Sequence, residues 1–363
     1  MYLLSQFCSI KPPQKPDYSG IYTSPNYKVE TQGECDQGSY IEMYIPEKPY
    51  YSDTGAKIAV IYLHGFTLGA SEIYSTHLEH LVKQGYYVFY PNYQRGFCKF
   101  PAYRFETLYE LVVETLNPFP ISPVGWMESA ISSTLQAFKY LNLTESNVNT
   151  YLFGHSLGGL FALSWCYYAQ EKVHPNLLPK QIVVADPIPD SQSNIPPSIR
   201  EYIDLFHGFK DKVDIVQTGI ALKVPVAILH GNNDTIVPKH SWIKPFYSIE
   251  TNQKTMYLSF TDKHGSPAMY ADHEQATINT SFLSNWIADE FLGGVGVENN
   301  LDWRYIWHAL DQVIRFGADA DKLKFDMGKW SDGKPVMPIQ VYLHSVNNSS
   351  LTSHARAFYS NKI

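Results

Sequence analysis

A chain of 363 residues with 28 Lys and Arg against 35 Asp and Glu carries a formal charge of −7, which argues against the broad basic face that nucleic-acid binding requires. With 44% hydrophobic and 17% charged residues it has enough apolar material for a large core and is not a disordered polymer. No apolar run reaches the ~18 residues of a membrane-spanning helix, and Met1–Ile10 lacks a basic region followed by an apolar run, so no secretory signal and a cytoplasmic location are expected.

In chain order, residues 1–38 hold Pro12, Pro13, Pro16 and Pro25 among glycines and serines and read as an N-terminal arm. Ser39–Ile45 alternates side-chain character as an outer antiparallel strand does, whereas Lys57–Leu63 is a nearly continuous apolar run, suited to a parallel strand covered on both faces. Helical spacing covers Ser71–Gln84 and stops at Gly85, and Tyr86–Tyr90 is the next strand. A long connection rich in aromatics and proline follows, with a short helix expected at Glu106–Thr115. An amphipathic helix at Trp126–Leu141 leads into a strand ending at Phe153 and a helix over Leu160–Tyr168. Gln181–Ala185, Val224–His230 and Thr255–Phe260 are further core strands, and Glu274–Phe291 reads as the last helix of the main body. Strands alternating with helices predict an α/β fold, a doubly wound, mostly parallel sheet flanked by helices. The expected layout is a main domain over 39–292, with lid-like insertions at 92–124 and 187–222. A C-terminal extension, 293–363, packs on it with a helix at Leu301–Phe316 and a strand at Ile339–His344.

The four cysteines, Cys8, Cys35, Cys98 and Cys166, have no metal-ligand spacing; a Cys8–Cys35 bridge is the one pairing considered, and Cys166 reads as a buried apolar residue.

Chemistry enters at Gly154-His155-Ser156-Leu157-Gly158, which lies between a strand and a helix. Such a turn forces its central residue into an unusual backbone conformation, and glycines flank it because a Cβ there would strike the neighbouring chain. Ser156 is thereby presented at the carboxyl edge of the sheet, beside a helix N-terminus that favours negative charge. A serine hydroxyl is a poor nucleophile without a base, and the base needs a third group to orient it. Loops after later strands supply both: Gly231-Asn-Asn-Asp234 holds a carboxylate and Thr261-Asp-Lys-His264 an imidazole. Asp186, also at a strand end, competes for the acid role, and His273, placed near the start of the expected helix, competes with His264 for the base. The amides of Leu157 and Phe66, the latter in His64-Gly65-Phe66-Thr67, are the expected oxyanion donors.

With these pieces in place the chain resembles the α/β-hydrolase superfamily over residues 40–292, most closely the branch of dienelactone-hydrolase-type enzymes, bacterial carboxylesterases and polyester hydrolases. The resemblance implies Ser156 as nucleophile, His264 as base, Asp234 as its orienter, and an ester hydrolysed through an acyl-enzyme. It implies no cofactor or metal, and Phe66 lining the acyl pocket. Ser156 stands where dienelactone hydrolases carry cysteine, and Leu157 where chlorophyllases carry arginine. Phe66, His155, Tyr103 and Phe105 are expected to contact a small-molecule or lipid-like ester, with Tyr109, Phe119 and Trp126 as further liners of the pocket. A binding protein without turnover, and thioesterase, amidase, acyltransferase or chlorophyllase-like use of the same site, are the alternatives.

Overall fold

The computed structural model describes residues 9–95, 98–99, 104–107, 109–111, 120–171, 175–205 and 208–345. Its strands are β1 (Tyr27–Gln32), β2 (Ile41–Pro46), β3 (Lys57–Leu63), β4 (Tyr87–Pro91), β5 (Val148–His155), β6 (Ile182–Ala185), β7 (Val226–Gly231), β8 (Lys254–Ser259) and β9 (Gln340–His344). All belong to one sheet in the order β1-β2-β4-β3-β5-β6-β7-β8-β9. The inner strands from β4 to β8 run parallel, and the outer pairs β1–β2, β2–β4 and β8–β9 run antiparallel.

The apolar run of β3 is explained by its two faces. Ile58, Val60 and Tyr62 point into one core, and Ala59, Ile61 and Leu63 into the other, as a two-residue period demands. The first core is capped by α1 (Ser75–Lys83) through Leu78, Leu81 and Val82 and by Tyr305, Ile306, Trp307 and Leu310 of the C-terminal extension. The second is capped by α2 (Pro123–Tyr140) and α3 (Leu157–Glu171) through Met127, Ile131, Phe138, Leu160 and Trp165. Pro123 at the first turn of α2 forfeits no helical hydrogen bond, and the Ser122 hydroxyl accepts from the Gly125 amide, which fixes where that helix begins.

Three expectations are corrected. Part of the stretch read as an arm is a strand: β1 forms the sheet edge beside β2, which is the outer antiparallel strand expected, and the residues of β1 are largely polar, as an exposed edge tolerates. The helix expected over Glu274–Phe291 begins only at Asn285, as Asn285–Ile287 followed by a wider turn Ala288–Leu292. Side chains in the intervening stretch bond backbone groups instead, locally for Thr277 Oγ1 to the Glu274 carbonyl at 3.0 Å and Asn279 to the Ser281 amide at 3.0 Å, and across to the Gly296 amide at 2.9 Å for Thr280. Short polar side chains of this kind compete with the helical pattern. The disulfide joins Cys35 to Cys98, with Cα atoms 5.9 Å apart, and so ties the N-terminal region to the 92–124 connection; Cys8 lies outside the described residues. Of the helix expected at 106–115, residues 109–111 are helical, and 112–115 lie outside the described residues.

Candidate active site

Ser156 follows β5 with φ 55°, a left-handed conformation that an L-residue adopts only when its surroundings enforce it. They do so here: the Ser156 amide donates to the Ala185 carbonyl at 3.0 Å, and the Ser156 carbonyl accepts from Leu160 and Ile188. A Cβ on Gly158 would lie 2.2 Å from the Leu63 carbonyl oxygen, and one on Gly154 would lie 2.2 Å from that of Gly158, so this crossing of strand and helix admits only glycine at both places. The hydroxyl is consequently held at the carboxyl edge of the sheet, beside the first turn of α3.

After β7 the chain turns at Gly231, and Asp234 Oδ1 accepts from the amides of Ile236 and Val237 at 2.9 and 2.7 Å. That pins the carboxylate and leaves Oδ2 facing inward. There it meets Nδ1 of His273 at 2.7 Å, while Nε2 of the same ring lies 2.8 Å from Ser156 Oγ. Ser156, His273 and Asp234 thus form one continuous hydrogen-bonded line.

His264 is not part of it. Asp262 and Met269 exchange two backbone hydrogen bonds at 2.9 and 3.0 Å, closing a hairpin whose tip carries His264 outward. Its Nε2 lies 2.7 Å from Asp332 Oδ2, Lys334 Nζ donates to its Nδ1 at 3.1 Å, and its ring meets Trp330 edge-on, all within the C-terminal extension. The hairpin then returns the chain to the sheet: the Ala271 carbonyl accepts from the Asn233 amide at 3.0 Å, and Gln275 is gripped by Ser259 Oγ at 2.6 Å while donating to Asp186. His273 lies between these two anchors, in a loop and not at a helix start. Asp186, the competitor for the acid role, is occupied by the Gly231 amide at 2.7 Å and by Gln275, and braces the acid turn from below.

Charge follows the same geometry. Burial by itself would depress the His273 imidazole, but the adjoining Asp234 carboxylate outweighs burial and lifts the pKa to about 9. Burial raises Asp234, yet His273 and the turn amides prevail and hold it below its ordinary value. Asp186, with burial dominant and the Asp234 charge nearby, is pushed well up, toward the neutral acid.

His155 does not contact the cavity. Its Nδ1 lies 2.9 Å from Tyr74 Oη, which accepts from the Gly65 amide at 3.0 Å, and its Nε2 lies 2.8 Å from the His273 carbonyl. Burial depresses its pKa to about 3. A neutral ring therefore links the His64–Thr67 loop to the loop of His273, a link the sequence signals only by placing a histidine before Ser156. The loop itself is fixed by the Thr67 amide donating to Gln94 Oε1 at 2.7 Å, by stacking of His64 on Tyr93 with ring centroids 4.0 Å apart, and by a hydrogen bond from the Tyr93 hydroxyl to the His64 carbonyl.

A narrow cavity of about 50 Å³ opens on Ser156 and His273. Phe66, Leu157, Trp126, Ile188, Ile236 and Phe291 form its apolar wall, and Glu274 is also in it. Ser191, Ser193, Asn194, Ile195 and Pro196, in the second expected insertion, also line it. Phe105 is in the core, where it donates its amide to the Phe282 carbonyl, and Tyr109 is exposed; Tyr103 and Phe119 lie outside the described residues. Among the described residues, two groups bring side chains of metal-ligating type within 4.8 Å of one another, His155 with His273 and Glu274, and Asp186 with His230 and Asp234. The ring nitrogens of His155 and His273 and Nε2 of His230 face protein partners.

The sequence matches no protein-family model and no curated protein. Among solved structures, the chain is similar to a monoacylglycerol lipase of Paleococcus ferrophilus (15% identity, 69% of this chain and 91% of that one, TM-score 0.37) and an esterase of Pyrococcus furiosus (14% identity, 70% and 88%, TM-score 0.42). It is also similar to a peroxisomal alpha-beta-hydrolase of Saccharomyces cerevisiae (11% identity, 68% and 83%, TM-score 0.41). Likeness at this level decides nothing about substrate. The strand order, the parallel centre and the turn at Ser156 after β5 are those of the α/β-hydrolase fold.

Proposed function

We propose that the protein is a serine hydrolase that cleaves a carboxylic ester through an acyl-enzyme, with Ser156 as nucleophile, His273 as base and Asp234 as the group that orients it. The observation that carries this reading is the unbroken line Asp234 Oδ2, His273, Ser156 Oγ at 2.7 and 2.8 Å, with Ser156 held at φ 55°. In the neutral ring, Nδ1–H donates to Asp234 and Nε2 is free to take the hydroxyl proton. Ser156 Oγ then bonds to the ester carbonyl carbon, and the resulting oxyanion is received by the amides of Phe66 and Leu157. His273 passes the proton to the departing alkoxide as the carbon–oxygen bond breaks. Water attacks the acyl-enzyme with His273 again as base, releasing the acid and restoring Ser156. The narrow apolar cavity favours a short apolar group beside the scissile carbonyl.

A fluorophosphonate probe tests the assignment, because it phosphonylates only an activated serine. The folded protein is expected to take up one label, on Ser156, and Ser156→Ala to take up none and to lose ester hydrolysis by ~10⁶. A folded wild-type protein that stays unlabelled would instead favour a binding protein without turnover.

A further inference from the structure

Next to the base, Glu274 is 1% exposed and lines the cavity that opens on Ser156. A carboxyl oxygen of it lies within 4.8 Å of a ring nitrogen of His273, about the span of one small substituent. Its two oxygens are not equivalent. Thr277 Oγ1 lies 2.9 Å from Oε2 and 3.0 Å from the Glu274 carbonyl oxygen, whereas Oε1 is buried with no hydrogen-bond partner among the described residues. Burial, outweighing His273 and Thr277, lifts the pKa of this carboxyl to about 8, so it is mostly neutral at pH 7. One proton arrangement accommodates all of this. The Thr277 hydroxyl donates to the Glu274 carbonyl, the acid proton on Oε2 donates to Thr277 Oγ1, and Oε1 is left as a carbonyl-type acceptor. A buried acceptor beside a reacting centre lacks one thing, a donor.

We propose that Glu274 Oε1 is a specificity-determining group that accepts a hydrogen bond from an O–H or N–H of the substrate next to the scissile carbonyl. The preferred esters then carry a hydroxyl or amine close to the ester group and are not plain alkyl esters. The inference rests on the ester-hydrolase reading and narrows it to a substrate class. The remaining wall, Phe66, Trp126, Ile188 and Phe291, would hold the apolar part of the same molecule. Sites that offer a buried partner to a substrate donor discriminate against analogues lacking it far more sharply than apolar pockets discriminate by size.

Matched esters test this. The 2-hydroxyethyl and propyl esters of butanoic acid differ only in a hydroxyl against a methyl on the alcohol side. Ethyl 2-hydroxybutanoate and ethyl 2-aminobutanoate, each set against ethyl 2-methylbutanoate, place the donor on the acyl side and separate O–H from N–H. In at least one pair the donor-bearing ester should show kcat/KM about tenfold or more above its partner. That ratio should fall toward one in Glu274→Met, which removes the acceptor at similar bulk, and be largely kept in Glu274→Gln, whose amide oxygen can still accept. Ratios near one in every pair for the wild-type protein overturn the proposal whether or not the variants fold, and so does an undiminished ratio in Glu274→Met. No turnover of any ester together with no fluorophosphonate label would instead remove the hydrolase reading, and the proposal with it.

Discussion

Burial favours the neutral imidazole of His273 while the Asp234 carboxylate favours the cation, and the carboxylate wins because Nδ1 and Oδ2 are 2.7 Å apart in surroundings with little solvent. In the proposed role of base, an imidazole lifted toward about 9 must lose a proton before it can take one from Ser156. The rising limb of kcat/KM for a simple ester is therefore expected above the ordinary histidine value of ~6.5. Replacing the carboxylate reverses the sign: Asp234→Asn should move that limb to lower pH while reducing kcat by ~10⁴, because the amide neither stabilises the cation nor selects the tautomer. A pH–rate series on the two proteins checks it, and a limb that does not move in Asp234→Asn would place the orienting charge elsewhere. Asp186→Asn should leave the limb nearer its original position, since Asp186 is directed at Gly231 and Gln275.

Within single elements, legibility followed how local the signal was. Ser156 and Asp234 are each in a tight turn immediately after an apolar strand, so strand and turn patterns were enough to place them at the sheet edge. His273 is separated from β8 by a hairpin that is held to the C-terminal extension by Asp262 Oδ2 accepting from Trp330 and Met337, partners remote in sequence. No periodicity within 261–273 announces that excursion, and the apolar residues Ala276, Ile278 and Phe282 imitate a helix beginning just after His273. The same remoteness hid β1 and the Cys35–Cys98 bridge. Closing a loop of 63 residues stabilises by about 4 kcal/mol on a chain-entropy account. Cys35→Ser, or reduction by dithiothreitol, should accordingly lower Tm by several degrees, and an unchanged Tm would mean that the bridge adds nothing to stability. Such a bridge persists in oxidising surroundings, which counts against the cytoplasmic location expected from the N-terminal sequence.

Across the whole molecule, several acids are buried where the neutral form is favoured. Burial is the leading cause in each, lifting Asp272 to about 7, Glu274 to about 8, and Asp186 and Asp302 well above the ordinary carboxyl range. An acid that binds its proton more tightly when folded stabilises fully only below its unfolded value, and the benefit is lost as pH rises through the folded one. His273 adds to this, with its contribution lost between ~6.5 and about 9. Asp234, held low, acts oppositely under acid conditions, and so do the buried histidines held low, His155 and His64 among them, which cost stability as pH falls below ~6.5. Tm is thus expected to be highest in mildly acidic buffer and to fall from pH 6 to pH 9, with a shallower fall in Glu274→Gln; calorimetry across that range would contradict this if Tm rose. The C-terminal extension takes part in the same fold: Tyr305 Oη accepts from the His230 amide at 2.9 Å and donates to the Tyr257 carbonyl at 2.8 Å, joining β7 to β8. Its role as a cover for one core was within reach of the sequence as an appendage packed on the main body, but its tie to His264 through Asp332 and Lys334 was not. The most direct measurement compares kcat/KM for a p-nitrophenyl ester in His273→Ala and His264→Ala. A fall of ~10⁶ in the first, with the second within a few-fold of wild type, is what the site geometry predicts; the reverse order would contradict the assignment of His273 as the base.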